Sequence, residues 1–119
     1  MLSARQQSDL QAAVRSYIAG EKEAAGKICE RLVRAAPDDF QVNFLLGSLR
    51  HEQGRPDEAL RFLERALSLN RRSAPTLMCL GVVLDSLTRH EEAEKNLVLS
   101  VKLDPGAHET WLNLGVHYT

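Results

Sequence analysis

The sequence has little of what marks a catalytic, secreted or membrane-inserted chain. Its 119 residues include two cysteines, four prolines and 5% aromatics, and the formal net charge is −1. Near-neutrality excludes strong overall attraction to nucleic acid or an anionic bilayer. No run approaches the roughly 18 apolar residues of a membrane helix. Met1–Asp9 has no apolar stretch, so no secretory signal is expected there. Cys29 and Cys79 form no CxxC; two reduced thiols in a cytosolic protein are expected, with a single disulfide left open. The histidines His51, His90, His108 and His117 have no metal-ligand spacing. His90-Glu91-Glu92-Ala93-Glu94 begins like a zinc-protease helix but has Glu94 where the second histidine belongs. Ser48 follows Gly47 without a GxSxG elbow, and no glycine-rich phosphate loop exists. Neither a catalytic residue, a metal nor a cofactor is predicted.

What is present is enough apolar material for a core, 44% against 26% charged, arranged periodically. Leu45-Leu46-Gly47 recurs as Cys79-Leu80-Gly81 and as Asn113-Leu114-Gly115, each 34 residues on. Ala59 and Ala93, Leu63 and Leu97, Leu69 and Leu103, and Gly20 and Gly54 share that offset. Apolar residues recur at spacings of three and four, which predicts helices near 4–18, 22–35, 40–53, 56–69, 74–87, 90–103 and 107–118. Asp38 or Asp39 can cap the third helix and Ser73 the fifth, with Pro75 in its first turn. Pro56 opens the fourth, with Asp57 and Glu58 near its positive end. Gly20 and Gly54 mark tight turns, and Arg89 lies in the turn without a glycine. Gly47, Gly81 and Ala13 fall where paired helices press together, opposite Ala59, Ala93 and Ala25. Cys29 falls at a large apolar position and is predicted to be core. Arg61 and Arg65, with Glu58 and Glu64 nearby, predict a solvated face with intrahelical ion pairs; a small anion or acidic-peptide site is the alternative there.

A 34-residue period with this pattern resembles the tetratricopeptide repeat. The signature of its first helix is a Trp, Leu-Gly three residues on, then Tyr, and Trp111, Leu114, Gly115 and Tyr118 match it fully. Residues 40–73 supply Leu46, Gly47, Ala59 and Ala66; residues 74–107 supply Leu80, Gly81, Ala93 and Pro105; residues 6–39 keep Ala25 and Pro37. The resemblance implies an all-α, right-handed superhelical solenoid of antiparallel helix pairs. It would be a single array over 1–119, with units 6–39, 40–73 and 74–107 and a partial unit 108–119. An array that stops within a unit is expected to be a fragment of a longer protein, or to dock its final helix elsewhere. It is also expected to be prone to homo-oligomerisation through Trp111, Leu114 and Tyr118.

The resemblance also implies where a partner would lie, in the concave groove lined by the first helix of each unit. Those positions hold Gln7, Leu10, Val14 and Tyr17, then Gln41, Phe44, Ser48 and His51, then Pro75, Met78, Val82 and Asp85, then Glu109, Leu112, Val116 and Thr119. The lining is mostly apolar and lacks the Lys, Asn and Arg clamp with which relatives grip acidic chaperone tails. The asparagine ladder of arrays fused to O-linked N-acetylglucosamine transferases is matched only by Asn113. A protein–protein interaction scaffold is therefore expected, holding a peptide or helix along Phe44, Met78, Val82, Leu112 and Val116. Tight superhelical packing of that strip, or its coverage by another copy of the chain, is the other reading. A different class of function is an N-terminal targeting arm of a larger enzyme, of glycosyltransferase or sulfotransferase type.

Overall fold

The computed structural model describes residues 2–106. They form six helices: α1 (Ala4–Ile18), α2 (Lys22–Ala35), α3 (Phe40–Glu52), α4 (Pro56–Leu69), α5 (Ala74–Ser86) and α6 (His90–Leu103). No strand occurs among the described residues. The seventh helix predicted near 107–118, with Glu109, Trp111, Leu112, Leu114, Val116 and Tyr118, lies outside the described residues.

Local chemistry sets the helix ends. Ser3 and Gln6 form a capping box on α1. Asp39 rather than Asp38 caps α3, accepting from the Val42 N–H. Ser73 caps α5, and Pro75 sits in its first turn, where a missing N–H costs nothing. The starts of α2, α4 and α6 have no side-chain cap; the preceding turn fixes them instead. In each, one N–H reaches back five residues: Glu21 to the Ser16 carbonyl, Arg55 to Arg50, Arg89 to Leu84. This closure needs a left-handed residue immediately before the donor. Gly20 (φ 83°) and Gly54 (φ 74°) supply it twice. The third is Thr88 at φ 60°. Arg89, the residue before α6, lies in this turn, as the sequence predicts, and its bond to Leu84 puts the left-handed position on Thr88.

Helices pack as three antiparallel hairpins, α1 with α2, α3 with α4 and α5 with α6, each hairpin also touching the next. The stack measures 43 × 25 × 23 Å. Contact within the second and third hairpins requires glycine. A Cβ at Gly47 would lie 2.7 Å from Leu63 Cγ, and one at Gly81 would lie 2.5 Å from Leu97 Cγ. The first hairpin solves the same contact by exchanging volume. Ala13 stands where the others have glycine, and Cys29, fully buried as predicted, stands where they have leucine. Between hairpins, Asn43 donates to the Pro37 and Asp39 carbonyls at 2.9 and 2.8 Å, anchoring α3 to the loop that follows α2.

Candidate functional site

The odd-numbered helices carry the residues predicted to line a groove. Val14 on α1 is 40% exposed, and Gln7, Gln41 and Pro75 are exposed as well. Tyr17, Phe44, Ser48, His51, Met78, Val82 and Asp85 are half-buried. Several are engaged within the fold. Phe44 packs on the cluster of Ala59, Leu63, Leu80 and Val83 and stacks on Phe40, with centroids 6.0 Å apart. The Ser48 hydroxyl turns back to donate to the Phe44 carbonyl. Asp85 lies 2.8 Å from His90 Nδ1. Tyr17 hydrogen-bonds Glu52 on α3; its burial, with that carboxylate, pushes the phenol up to about 12. The strip through Phe44, Met78 and Val82 is therefore partly covered by its own fold. Leu112 and Val116 lie outside the described residues.

A more open surface runs along α1 and meets the start of α3. Between α1 and α3 lies a groove of about 600 Å³, lined by Leu2, Gln7, Leu10, Gln11, Val14, Arg15, Asp39 and Gln41. Leu10, 6% exposed, forms an apolar floor beside the exposed Val14. Three glutamine amides surround them, each able to donate and accept. Arg15 and Asp39 place opposite charges on the walls, and Asp39 is held by its cap bond to Val42. Sequence reasoning placed Gln7, Leu10, Val14 and Gln41 here but missed Gln11 and Arg15. Their signal was the i, i+4 stripe of Gln7, Gln11 and Arg15, one step around the helix from Leu10 and Val14. Leu2 and Asp39 precede their helices, and no helical periodicity reaches them.

A second depression, of about 400 Å³, opens between α4 and α6 over Leu67, Leu77 and Leu99, with Glu64, Ser68 and Arg71 on its rim. On α4 the expected intrahelical ion pairs are not the ones that form. Glu58 turns instead toward Arg50 and Arg55. Arg65 donates to the Pro37 carbonyl, and Arg61 sits 5.8 Å from the Phe62 ring centroid. Glu58 shares a face of α4 with Arg61 and Arg65, but its carboxylate lies between Arg50 of α3 at 3.8 Å and Arg55 at 3.6 Å, and Arg65 is two turns farther along. No group of three His, Cys, Asp or Glu among the described residues could hold a metal ion. No described helix is long and apolar enough to cross a membrane.

Helical hairpins repeating at 34 residues, each closed on a glycine or alanine contact, define a helical-repeat protein whose broad grooves suit other polypeptides. The tetratricopeptide repeat model matches residues 2–76. The chain belongs to the tetratricopeptide repeat family. It is 31% identical over 100 residues to human tetratricopeptide repeat protein 7B, covering 83% of this chain and 12% of that protein. It thus spans about an eighth of that relative's length. Among solved structures it is similar to the first TPR of Spaghetti (RPAP3) bound to the HSP90 peptide SRMEEVD. There the TM-score is 0.91 at 18% identity, over 99% of this chain and 94% of that one. It is also similar to the O-GlcNAc transferase of Thermobaculum terrenum, with a TM-score of 0.88 and 28% identity over 98% of this chain and 23% of that one. These likenesses support the all-α fold expected from the repeat.

Proposed function

We propose that this segment is a protein-interaction scaffold that binds a partner peptide or helix in the groove of its odd-numbered helices, and that it carries no catalysis of its own. The observation behind this reading is the groove between α1 and α3, where an apolar floor is rimmed by glutamine amides and one charge of each sign. An apolar side chain of the partner would bury on Leu10 and Val14, while Gln7, Gln11 and Gln41 meet backbone amides. Tyr17, Ser48, His51 and Asp85 would then set register farther along, and Phe44, Met78 and Val82 would extend the apolar track. A family relative bound to an HSP90 peptide supports the general mode. The missing basic clamp argues against that ligand here: Arg15 is the one cation of the groove. A cytoplasmic location suits this reading, because the thiols of Cys29 and Cys79, which form no disulfide, would stay reduced there.

The test is selection from a displayed peptide library against the whole chain, followed by titration of the selected peptides. Peptides with an apolar anchor should bind, and Val14→Glu should weaken them at least tenfold with the circular dichroism spectrum unchanged. Leu99→Glu, on the opposite depression, should leave binding intact. SRMEEVD should not bind. Equal loss in both variants, or tight SRMEEVD binding, would refute this groove.

A second reading has its own support. The likeness to an O-GlcNAc transferase of which this chain spans 23% favours a recruiting arm of a larger enzyme. The intact mass of the native protein from its source decides it: a mass near that of the 119 residues eliminates the reading.

A further inference from the structure

Among the described residues Arg50 is the one charged side chain that is buried, 7% exposed. A guanidinium does not shed its proton, so burial obliges the fold to surround it with acceptors. They come from three elements. Nη2 donates to the Glu30 carboxylate on α2, and Nη1 donates to Gln53 Oε1 at 2.7 Å, just past the end of α3. Nε makes no hydrogen bond; the Glu58 carboxylate on α4 faces it at 3.8 Å as an ion pair. Arg50 itself belongs to α3, so its pair with Glu30 ties the first hairpin to the second.

The repeat supplies an internal control. Thirty-four residues on, the counterparts of Gly26, Glu30 and Arg50 are Leu60, Glu64 and Leu84. A Cβ on Gly26 would lie 3.6 Å from Arg50 Nη1, so the bare glycine backbone is the guanidinium's neighbour. At the second joint Leu60 packs on the cluster of Ala59, Leu63, Leu80 and Val83, and Leu84 is 3% exposed. The same places therefore hold glycine and arginine at one joint and two leucines at the next.

Both joints bury apolar residues, the first through Leu10, Leu32 and Val42 and through Ala25, Cys29, Leu46 and Leu49. We infer that the first differs by the ionic clasp of Arg50 and Glu30 at the place where the second has two leucines, and that this clasp makes the first hairpin separately releasable. In a linear array each hairpin depends on its nearest neighbours. Weakening the first joint frees α1 and α2 while α5 and α6 keep their contacts. The released hairpin contains α1, which supplies Gln7, Leu10, Gln11 and Val14 to the groove. Arg50 is thus a positioning residue for that groove without lining it. This last step depends on the proposed interaction function; release of the hairpin does not.

Native-state hydrogen exchange on the full chain tests the clasp. Glu30→Gln keeps the shape of a half-exposed side chain and removes its charge. It should speed exchange of α1 and α2 amides about tenfold relative to those of α5 and α6. Gly26→Leu with Arg50→Leu moves the second joint's residues into the first. That pair should restore protection of α1 and α2 and make it indifferent to Glu30→Gln. Uniform acceleration in all six helices, or none in α1 and α2, overturns the inference, and Glu30→Gln alone decides it if the double variant does not fold. Selected peptides should bind Glu30→Gln more weakly in proportion to the release. A groove that binds no peptide would sink the proposed function and leave the exchange result standing.

Discussion

The contact between Gly81 and Leu97 can be converted into the one that the first hairpin already uses. A Cβ added at Gly81 would lie 2.5 Å from Leu97 Cγ, 2.6 Å from its Cδ2 and 3.3 Å from the Ala93 carbonyl oxygen. Ordinary carbon contacts are at about 3.5–4.0 Å, so Leu97 must retreat by about 1 Å or more. Leu97 has nowhere to go, being fully buried. Overpacking of this kind costs about 1–3 kcal/mol, offset by the helix preference for alanine over glycine of about 1 kcal/mol. Gly81→Ala should therefore destabilise by up to about 2 kcal/mol in spite of its better propensity. Leu97→Cys alone should cost about 2–3 kcal/mol through the cavity it leaves. The double variant reproduces the Ala13 and Cys29 pair. There the alanine methyl enters the space the leucine vacated, and the loss should fall short of the sum by at least about 1 kcal/mol. Urea unfolding of the four proteins, followed by circular dichroism, closes the cycle. Strict additivity would mean that the two residues do not share that space, and the volume-exchange account of the first hairpin would fail with it.

Other outcomes follow from single sites. Thr88→Gly should stabilise by about 0.5–1 kcal/mol, because a β-branched residue is held at φ 60° in a turn where Gly20 and Gly54 serve elsewhere; a lower melting temperature would refute the strain. Burial pushes the Cys29 thiol up to about 11 from 9.0. The native state thus holds a proton that the unfolded chain gives up earlier, and stability should fall as pH rises from about 9 to 11, by about 2–3 kcal/mol in all. Cys29→Ala should remove the slope between about pH 9 and 10 in urea titrations and leave above about pH 10 the share that comes from the raised Tyr17 phenol; an unchanged slope between about pH 9 and 10 would assign it to another group. Ser73→Ala should cost about 1–2 kcal/mol in thermal or urea unfolding, since the Ser73 hydroxyl accepts from the Thr76 N–H and pairs with the buried Thr76 hydroxyl at 2.8 Å. A near-neutral Ser73→Ala would mean that Pro75 alone sets the start of α5.

The sequence by itself determined the six described helices, their order and their pairing. Each helix is written in local chemistry: Ser3, Asp39 and Ser73 at starts, Gly20 and Gly54 at turns, and apolar spacing of three and four between them. The 34-residue offset then named the small residues of each contact, because a glycine amid leucines at a fixed period has a steric reason to be there. Tertiary structure decided the rest. Thr88 is left-handed because the Arg89 N–H must reach Leu84, a demand that outweighs the preference of threonine for extended backbone. Phe44 is half core because α4 and α5 converge on it, which its place on a helical wheel does not reveal. The open groove gathers Leu2 and Asp39 from outside the helices, and only the approach of α3 to α1 brings them beside Leu10 and Val14. Arg50 reads in sequence as one more surface arginine. Its burial is set by where Glu30, Gln53 and Glu58 stand in space, positions that are 20, 3 and 8 residues away along the chain and that no single helix encodes.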